Sequence, residues 1–564
     1  MHKSRRASGP PLWAFALFFS STLTLAAELP PVTSRRLAAG NEAANEWLTY
    51  GGNYANWRYS ALKNIARGNV GKLVPAWVLQ TGIQGQVAAS PVVADGTLYF
   101  TAAYNNLYAL DAVTGQMLWH YEHPMPSDLR LCCGPANRGV AIAGNKVFMA
   151  TLDARLIAFD RASGKVAWNI VMEDYKAGYS ATGAPLVVKD MLIIGSGGGE
   201  FAARGFIDAY NLEDGRRRWR RYTVPSAGEP GVDTWAGDSW KSGGAPAWVT
   251  GTYDADRDLL YWSTGNPAPL FNGDVRGGDN LYSDAILALD PDTGALRWYF
   301  QTTPHDVWDY DATNGLVLID VLYDGKRVRV VAQPNRNGYL YVLNAATGKF
   351  LSGTQYVEKL NWSKGLTGDG RPLVDQRFYP SAEGLRDFVC PGSLGGNNGS
   401  FTYAYSPDTR AMYVPVIESC LALTKESPIT KAGDISLGGS IGDTDATAGR
   451  AHGQLTAIEP ASGKIKWRYR DHYPMVGGAL ATGGGLVFTG NQEGFALALD
   501  ASTGKLLWKF QMGAGMRSQP ITYRIGDRQY VAIGSGSGGA AVALVGAPPL
   551  RTMGSALMVF ALPR

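Results

Sequence analysis

The stretch "ALDAVTGQMLW" (residues 109–119) recurs along the chain and decides the fold. It contains a short apolar segment, a polar turn that ends in glycine, and a second segment that carries tryptophan. In such a turn Asp or Asn hydrogen-bonds its own backbone, and glycine takes the position with positive φ. Six further copies follow: "AFDRASGKVAW" (158–168), "AYNLEDGRRRW" (209–219), "ALDPDTGALRW" (288–298), "VLNAATGKFLS" (342–352), "AIEPASGKIKW" (457–467) and "ALDASTGKLLW" (498–508).

The repeat is a β-hairpin, and its usual spacing of about 40–55 residues is typical of four-stranded propeller blades. The two ends of the chain supply an eighth unit. "LVPAWVLQTG" (73–82) resembles the second strand of the repeat, and "ALMVFALPR" (556–564) resembles the first. A blade built from both ends would close the ring and leave no open sheet edge. We therefore predict an all-β, eight-bladed β-propeller of four-stranded antiparallel blades, closed by the N- and C-terminal strands.

The tryptophans of the repeat are interpreted as structural residues that pack between neighbouring blades, and Ser352 takes their place in one copy. They are Trp77, Trp119, Trp168, Trp219, Trp298, Trp467 and Trp508. Two intervals between copies are too long for a blade alone, which predicts insertions near residues 220–290 and 353–456. Cys390 and Cys420 bracket part of the second insertion, and we expect them to pair; two buried thiols are the alternative.

The N-terminus has the features of an export signal. Basic residues precede the apolar run "LWAFALFFSSTLTL" (12–25), and the small residues Ala26 and Ala27 follow it. The run is shorter than the roughly 20 residues of a membrane span, although a membrane anchor is the alternative. We predict a signal peptide at 1–27, a propeller domain at 28–564, a periplasmic location and no membrane span after cleavage. The formal charge of +4, with no long basic run, gives no indication of nucleic-acid binding.

Six separate motifs carry a family resemblance, which extends from about residue 45 to the C-terminus. With them the sequence resembles the quinoprotein alcohol dehydrogenases, which use pyrroloquinoline quinone (PQQ). The resemblance implies that an alcohol is oxidised to an aldehyde or ketone and that the electrons pass to a cytochrome c. The sequence has no CxxCH motif for covalent haem, so we expect a separate soluble cytochrome. The motifs are "CCGPANRG" (132–139), "GSGGGEFAARGFIDAYN" (195–211), "DTWAGDSWKSGGAPAW" (233–248), "TGNPAP" (264–269), "PHDVWDYDATN" (304–314) and "GGLVFTGNQEG" (484–494).

Two of the four cysteines are neighbours. Adjacent Cα atoms lie about 3.8 Å apart, whereas relaxed disulfides want about 4.4–6.8 Å, so a bond between them is expected to be strained. The resemblance implies that Cys132 and Cys133 form this bond as a flat wall against one face of PQQ, and that Trp248 stacks on the other face. A zinc or thiol-redox role is the alternative. Further cofactor-binding positions implied by the resemblance are Arg138, Thr182, Gly198, Gly199, Arg336 and Asn398.

The resemblance also implies a metal ion held by Glu200, Asn266 and Asp309. All three offer hard oxygen donors, which favours calcium-like chemistry over a soft-metal site. In the implied mechanism the cation polarises the C5 carbonyl of PQQ, Asp309 takes the proton of the alcohol, and the carbinol hydride passes to C5. Arg336 stabilises negative charge near the reacting quinone oxygen.

Asp311 distinguishes two branches of this family. It lies two residues after Asp309, so both side chains would point the same way from an extended segment and would repel each other without a cation. The calcium-dependent branch typically has a small residue at this position, and the lanthanide-dependent branch has aspartate. We predict a lanthanide(III) ion, with Ca²⁺ as the alternative. The alternative interpretation of Asp311 is that it only caps a turn.

Three positions depart from the family pattern. Ala88 replaces a glutamate that contacts the cofactor, a contact for which Gln86 is a candidate substitute. Val476 and Ser537 replace tryptophans, which predicts a larger pocket that accepts alcohols larger than methanol. Alternative functions are a quinoprotein dehydrogenase for sugars or aldehydes and a non-catalytic propeller scaffold of outer-membrane assembly. The oligomeric state, monomer or homodimer, is left open by the sequence.

Overall fold

The computed structural model describes residues 29–40, 45–384, 387–397, 402–428, 433–445, 450–536 and 554–564. Eight antiparallel sheets of four strands form the blades of a ring, so the predicted eight-bladed β-propeller is confirmed. Nowhere in these ranges is a helix both long and apolar enough to cross a membrane. The predicted signal peptide, Asn398 and Ser537 lie outside the described residues.

The first four blades follow one another along the chain, and each runs from its inner strand to its outer strand. Their strands are Val92–Ala94, Thr97–Ala102, Asn106–Asp111 and Met117–Glu122 in blade 1; Ala141–Ala143, Lys146–Ala150, Arg155–Asp160 and Val166–Val171 in blade 2; Leu186–Val188, Met191–Gly195, Phe206–Asn211 and Arg217–Tyr222 in blade 3; and Thr252–Asp254, Leu259–Ser263, Ala285–Leu289 and Leu296–Gln301 in blade 4.

The other four blades complete the ring. Their strands are Val317–Tyr323, Lys326–Pro334, Tyr339–Asn344 and Phe350–Gln355 in blade 5; Ala404–Ser406, Ala411–Glu418, His452–Ile458 and Ile465–Asp471 in blade 6; Leu480–Thr482, Leu486–Gly490, Phe495–Asp500 and Leu506–Gln511 in blade 7; and Ile521–Ile525, Arg528–Ser535, Ala556–Ala561 and Val74–Gln80 in blade 8. The outer strand of blade 8 is N-terminal and its other strands are C-terminal, which is the predicted closure.

A few short elements lie outside the blades. Tyr59–Ser60 adds a fifth, parallel strand to blade 7. The insertions carry two hairpins, Ser363–Leu366 with Pro372–Val374 and Leu421–Lys425 with Gly439–Thr444. The described helices are the α-helix Ser34–Ala39 and the 3₁₀ helices Val70–Lys72, Ala103–Asn105, Tyr175–Ala177, Gly199–Phe201, Val232–Thr234, Ser239–Ser242, Gly273–Arg276 and Gln376–Phe378.

The repeat tryptophans join each blade to the next. The indole N–H of Trp219 in blade 3 donates to the carbonyl of Pro291 in the turn of blade 4 at 2.9 Å. Its ring covers Gly294, whose φ of +70° suits glycine and where a Cβ would lie 2.6 Å from the ring. All seven tryptophans donate in this way to the following blade, at 2.9–3.3 Å. Blade 5 lacks the tryptophan at Ser352, and Thr354 lies over the next turn glycine, Gly463, instead.

The connections between successive strands lie alternately at the two ends of the ring. The tight turns between third and fourth strands lie at one end. Connections from the second strand to the third, and from one blade to the next, lie together at the other end because successive strands run in opposite directions. The long connections 264–284, 356–403 and 419–451 are all of these two kinds. A disulfide joins Cys390 to Cys420, as expected, and links two of them.

Candidate active site

A cavity of about 270 Å³ opens at the end of the ring that carries the long connections. Ten of the predicted site residues line it, although they come from loops of six different blades or blade junctions. They are Cys132, Cys133, Arg138, Thr182, Gly198, Glu200, Trp248, Asp309, Asp311 and Arg336. The structure thus brings together at one place residues that are spread over more than 200 positions of the chain.

The adjacent cysteines form one wall of this cavity. Cys132 and Cys133 are joined by a disulfide. The sulfur of Cys133 lies 3.8 Å from Oε1 of Glu200, a contact and not a hydrogen bond because a disulfide sulfur has no proton to donate. The side-chain amide of Gln86, which also lines the cavity, donates to the carbonyl of Cys133 at 2.9 Å. An acidic oxygen donor therefore lies directly beside a rigid sulfur wall.

Trp248 and Arg138 form a second wall. The guanidinium carbon of Arg138 lies 4.4 Å from the centre of a Trp248 ring, which is a cation–π contact. Nη1 of Arg138 donates to Oγ1 of Thr182 at 2.6 Å. Because of burial, the pKa of Arg138 is lowered to about 10, so the side chain still carries its charge at neutral pH. This side of the cavity presents a positive charge next to a flat aromatic ring.

Arg336 holds the two aspartates. It donates from Nη2 to Oδ2 of Asp309 at 3.2 Å and from Nη1 to Oδ2 of Asp311 at 3.0 Å. The prediction of an extended segment is wrong here, because Asp309 has a φ of +64° and the residues around it form no strand. Asp306 folds the loop by accepting from the backbone N–H groups of Trp308 and Tyr310, yet both aspartate side chains still reach one guanidinium.

The acidic groups of the cavity disfavour one another's ionisation. Burial, and then the charge of Asp311, raise the pKa of Glu200 to about 7. Burial raises the pKa of Asp309 well above its ordinary value, and the charges of Asp311 and Glu200 raise it further against the lowering effect of Arg336. The pKa of Asp311 is raised mainly by burial. A group of buried acids of this kind is stabilised by a cation.

Asn266 and Gly199 lie behind the cavity wall at the acidic side. Asn266 is fully buried, and its backbone N–H donates to Oδ1 of Asp311 at 3.0 Å. Within the described part of the chain, its side-chain Oδ1 has no hydrogen-bond partner. Gly199 packs so closely that a Cβ there would lie 3.0 Å from this oxygen. A buried amide oxygen without a partner, next to acids with raised pKa, fits a hard metal ion.

The carboxylates do not close into one compact cluster. Among the described residues, Cys132, Cys133 and Glu200 form a group whose potential ligand atoms lie within 4.8 Å of one another. Glu200, Asp309 and Asp311 do not form such a group. The two sulfurs share a disulfide, so they supply no thiolate to a metal. Asp309 and Asp311 face Arg336 instead, at the distances given above.

Apolar residues that the sequence did not indicate also line the cavity. They come from the long connections of blades 4 and 6 and from the junction of blades 5 and 6: Leu270, Phe271, Leu394, Ile435, Leu437 and Ile441. The backbone N–H of Phe271 donates to the carbonyl of Leu437, and that of Ser436 donates to the carbonyl of Glu200. No local pattern marks these residues, because their role depends on which insertions meet over the cavity.

Arg517, also missed, lines the cavity from the junction of blades 7 and 8. Val476, one of the departures from the family pattern, is fully buried and packs with Ile417 and Leu394 just behind the lining. Of the remaining predicted residues, Asn398 lies outside the described residues. Its neighbour Asn397 is buried and accepts a hydrogen bond from Asn314.

Comparison with known proteins defines the class. The family described as "PQQ: Glucose/ethanol/alcohol dehydrogenase, beta-propeller domain" matches residues 47–358 and 450–531. The quinoprotein alcohol dehydrogenase PedH of Pseudomonas putida KT2440 is 40% identical over 588 residues, with 99% of this chain and 98% of that protein covered. The lanthanide-dependent methanol dehydrogenase of Methylacidiphilum fumariolicum SolV is 35% identical over 555 residues, with 92% and 90% covered.

A solved structure agrees with these sequence relatives. A europium-containing methanol dehydrogenase superposes with a TM-score of 0.88 at 34% identity, covering 94% of this chain and all of that chain. The fold and the cavity thus define an oxidoreductase of the propeller type that uses a quinone cofactor. This chain belongs to the PQQ-dependent quinoprotein alcohol dehydrogenase family.

Proposed function

We propose that this protein is a periplasmic dehydrogenase that oxidises an alcohol by hydride transfer to PQQ bound beside a lanthanide(III) ion, and that it passes the electrons to a soluble cytochrome c. The observation that carries the proposal is the convergence of Glu200, Asp309 and Asp311 on one cavity whose other wall is the Cys132–Cys133 disulfide. The predicted export signal and the two disulfides support a periplasmic location, because disulfides persist in oxidising compartments.

The residues of the chain divide the work of the reaction. When bound, PQQ supplies the quinone carbonyl that takes up a hydride, and the metal ion polarises this carbonyl. Asp309 would accept the hydroxyl proton of the alcohol, which leaves the substrate ready to give up its carbinol hydride. Arg336 orients Asp309 through the 3.2 Å hydrogen bond and provides positive charge on the side where negative charge develops. The apolar residues of the lining limit the access of water.

The choice of metal is proposed on charge. Glu200, Asp309, Asp311 and a carboxylate of PQQ would provide four negative charges, which match a trivalent ion better than a divalent one. Asn266 would add its neutral side-chain oxygen, for which the described residues provide no hydrogen-bond partner. To test the metal, the apoprotein is reconstituted with PQQ and either lanthanum or calcium. Higher turnover with lanthanum is expected, and equal or higher turnover with calcium would reject a lanthanide enzyme.

We also propose that the substrate is an alcohol larger than methanol. Val476 stands where the family resemblance implies tryptophan, and it packs against Leu394, which lines the cavity. A smaller side chain at this position leaves room, and the surrounding lining is apolar. Turnover of methanol, 1-butanol and a cyclic secondary alcohol is compared at equal concentration. The larger alcohols are expected to react faster, and a strong preference for methanol would contradict the proposal.

A further inference from the structure

Asp284 is a fully buried carboxylate to which the proposed mechanism gives no part. It ends the long connection 264–284 and directly precedes the third strand of blade 4. Its φ of +48° lies in the left-handed region, which aspartate and asparagine adopt more readily than most other residues. Burying a carboxylate costs free energy of folding, and such a cost in a natural protein points to a functional contact.

Asp284 joins the two segments that carry Asn266 and Asp311. Its backbone N–H donates to the carbonyl of Gly265 at 3.0 Å. Its side-chain Oδ1 accepts from the backbone N–H of Ala312 at 3.1 Å. This one residue therefore holds the chain neighbour of each of two proposed metal ligands.

The two segments that Asp284 joins are in close contact with each other. Gly265 leaves no space for a side chain, because a Cβ there would collide with Oδ1 of Asp311. The same oxygen of Asp311 accepts from the backbone N–H of Asn266 at 3.0 Å. Ala312 is fully buried, so water cannot easily replace Asp284 as the acceptor of its N–H. Loss of the carboxylate would leave this N–H unpaired and would loosen the segment of Asp311.

The backbone of Asp284 is also connected to the segment of Arg336. Its carbonyl accepts from the backbone N–H and from the hydroxyl of Thr302, both at 2.8 Å. This hydroxyl accepts from the side-chain amide of Asn335, the residue before Arg336, at 3.2 Å. Arg336 in turn donates to the two aspartates of the cavity. Asp284 is thus linked to three of the segments that position the acidic side of the cavity.

We propose that Asp284 is a positioning residue for the metal site. Through the residues next to them, it holds Asp311 and Asn266 together so that both can offer an oxygen to the same hard cation. Asp284 is not among the residues that line the cavity, so it acts through these neighbours. Residues that orient metal ligands in this way are typically worth about 10- to 100-fold in metal affinity. The inference rests on the proposed function, since the metal ion belongs to that function.

The test measures metal binding rather than turnover. Full-length protein loaded with PQQ is dialysed against lanthanum at free concentrations set by a chelator, and elemental analysis of the bound metal gives Kd. Asp284→Ala is expected to raise Kd about 10- to 100-fold. Asp284→Asn keeps an oxygen that can accept from Ala312 and suits the positive φ, so it should bind lanthanum nearly as tightly as the wild-type protein.

Asp254→Ala is the matched control. Asp254 is also a fully buried acid of blade 4, and its side chain accepts from the backbone N–H groups of Asp256 and Arg257. These residues form the turn after the inner strand, at the end of the ring opposite the cavity. Asp254→Ala should therefore lower stability, as Asp284→Ala does, but should leave Kd unchanged. Circular dichroism during heating compares the stability of the two variants.

The outcomes separate this inference from the proposed function. If the wild-type protein binds no lanthanum, the proposed function falls and the inference falls with it. If the wild-type protein binds lanthanum and Asp284→Ala binds it as tightly, the positioning role is refuted while the function stands. If Asp284→Asn raises Kd as much as Asp284→Ala, the charge and not the hydrogen bond matters, which also refutes the proposal. Should Asp284→Ala not fold, Asp284→Gly suits the positive φ and replaces it, and the same rise in Kd is required.

Discussion

Asp309, the proposed base, has a position that is fixed by its neighbours. Its loop is folded by Asp306, and its side chain is held by Arg336. We expect Asp309→Asn to lower kcat about 10²- to 10⁴-fold, the usual contribution of a general base, because an amide cannot accept the proton. Turnover and PQQ absorbance are measured on the same protein. Asp320→Asn, on an exposed position of blade 5, is the control and should keep full activity.

Asp311 should decide which metal supports activity. It contributes one of the proposed negative charges, pairs with Arg336, and accepts from the backbone of Asn266. We expect Asp311→Ala to lower turnover with lanthanum at least about tenfold relative to turnover with calcium, since removing one charge weakens the binding of a trivalent ion more. The readout is the ratio of the two rates after reconstitution. A ratio equal to that of the wild-type protein would show that Asp311 serves only the loop.

At the scale of the blade, the contact between tryptophan and turn glycine stabilises the ring. Trp219→Ala should lower the free energy of unfolding by about 3 kcal/mol, because it removes a largely buried ring and its hydrogen bond to Pro291. Ser352→Ala is the matched control at the corresponding position of blade 5 and should change stability little. Both are measured by urea denaturation followed by circular dichroism.

A double-mutant cycle tests whether this contact is specific. Gly294→Ala places a Cβ 2.6 Å from the Trp219 ring at a φ of +70°. It should cost more in the wild-type protein than in Trp219→Ala, where only the backbone strain of about 1 kcal/mol remains. Equal costs in both backgrounds would mean that the ring does not press on the glycine.

The strands of the ring could be predicted from the sequence, but the apolar lining of the cavity could not. Each hairpin can be recognised by a local pattern of Asp, Gly and Trp. The motifs that carry the resemblance identify Glu200 and Asp309 as candidate site residues. No local sequence pattern identifies Leu270 and Ile435. They line the same cavity only because the long connections of blades 4 and 6 meet there in the folded protein. Arg517 is a similar case, since its position depends on the pairing of Gln519 with Ala89.

The local conformation of the aspartate loop was also beyond the sequence. Spacing alone suggests that Asp309 and Asp311 point the same way, and they do share Arg336. The reason is not an extended backbone, as predicted, but a loop in which Asp309 adopts a positive φ and Asp306 satisfies two backbone donors. Alternation of side chains describes strands. It fails where a buried side chain such as Asp306 takes the backbone N–H groups that a strand partner would otherwise bind.

For the whole molecule, closure of the ring depends on the C-terminal strand. Ala556–Ala561 pairs on one side with Arg528–Ser535 and on the other with Val74–Gln80, so it is the link between the two ends of the chain. Truncation after Ser555 should expose an unpaired strand edge on each side. We expect little soluble protein and no cooperative unfolding transition, measured by circular dichroism during heating.

A shorter truncation and a peptide make this test specific. Truncation after Leu562 keeps the strand and the hydrogen bond from Arg528 to the carbonyl of Leu562, so it should unfold like the full chain. A peptide of residues 554–564 is added to the protein truncated after Ser555. It should restore part of the cooperative unfolding transition, because the missing strand can pair as a separate peptide. If the protein truncated after Ser555 unfolds at the wild-type temperature without the peptide, the ring does not need its closing strand.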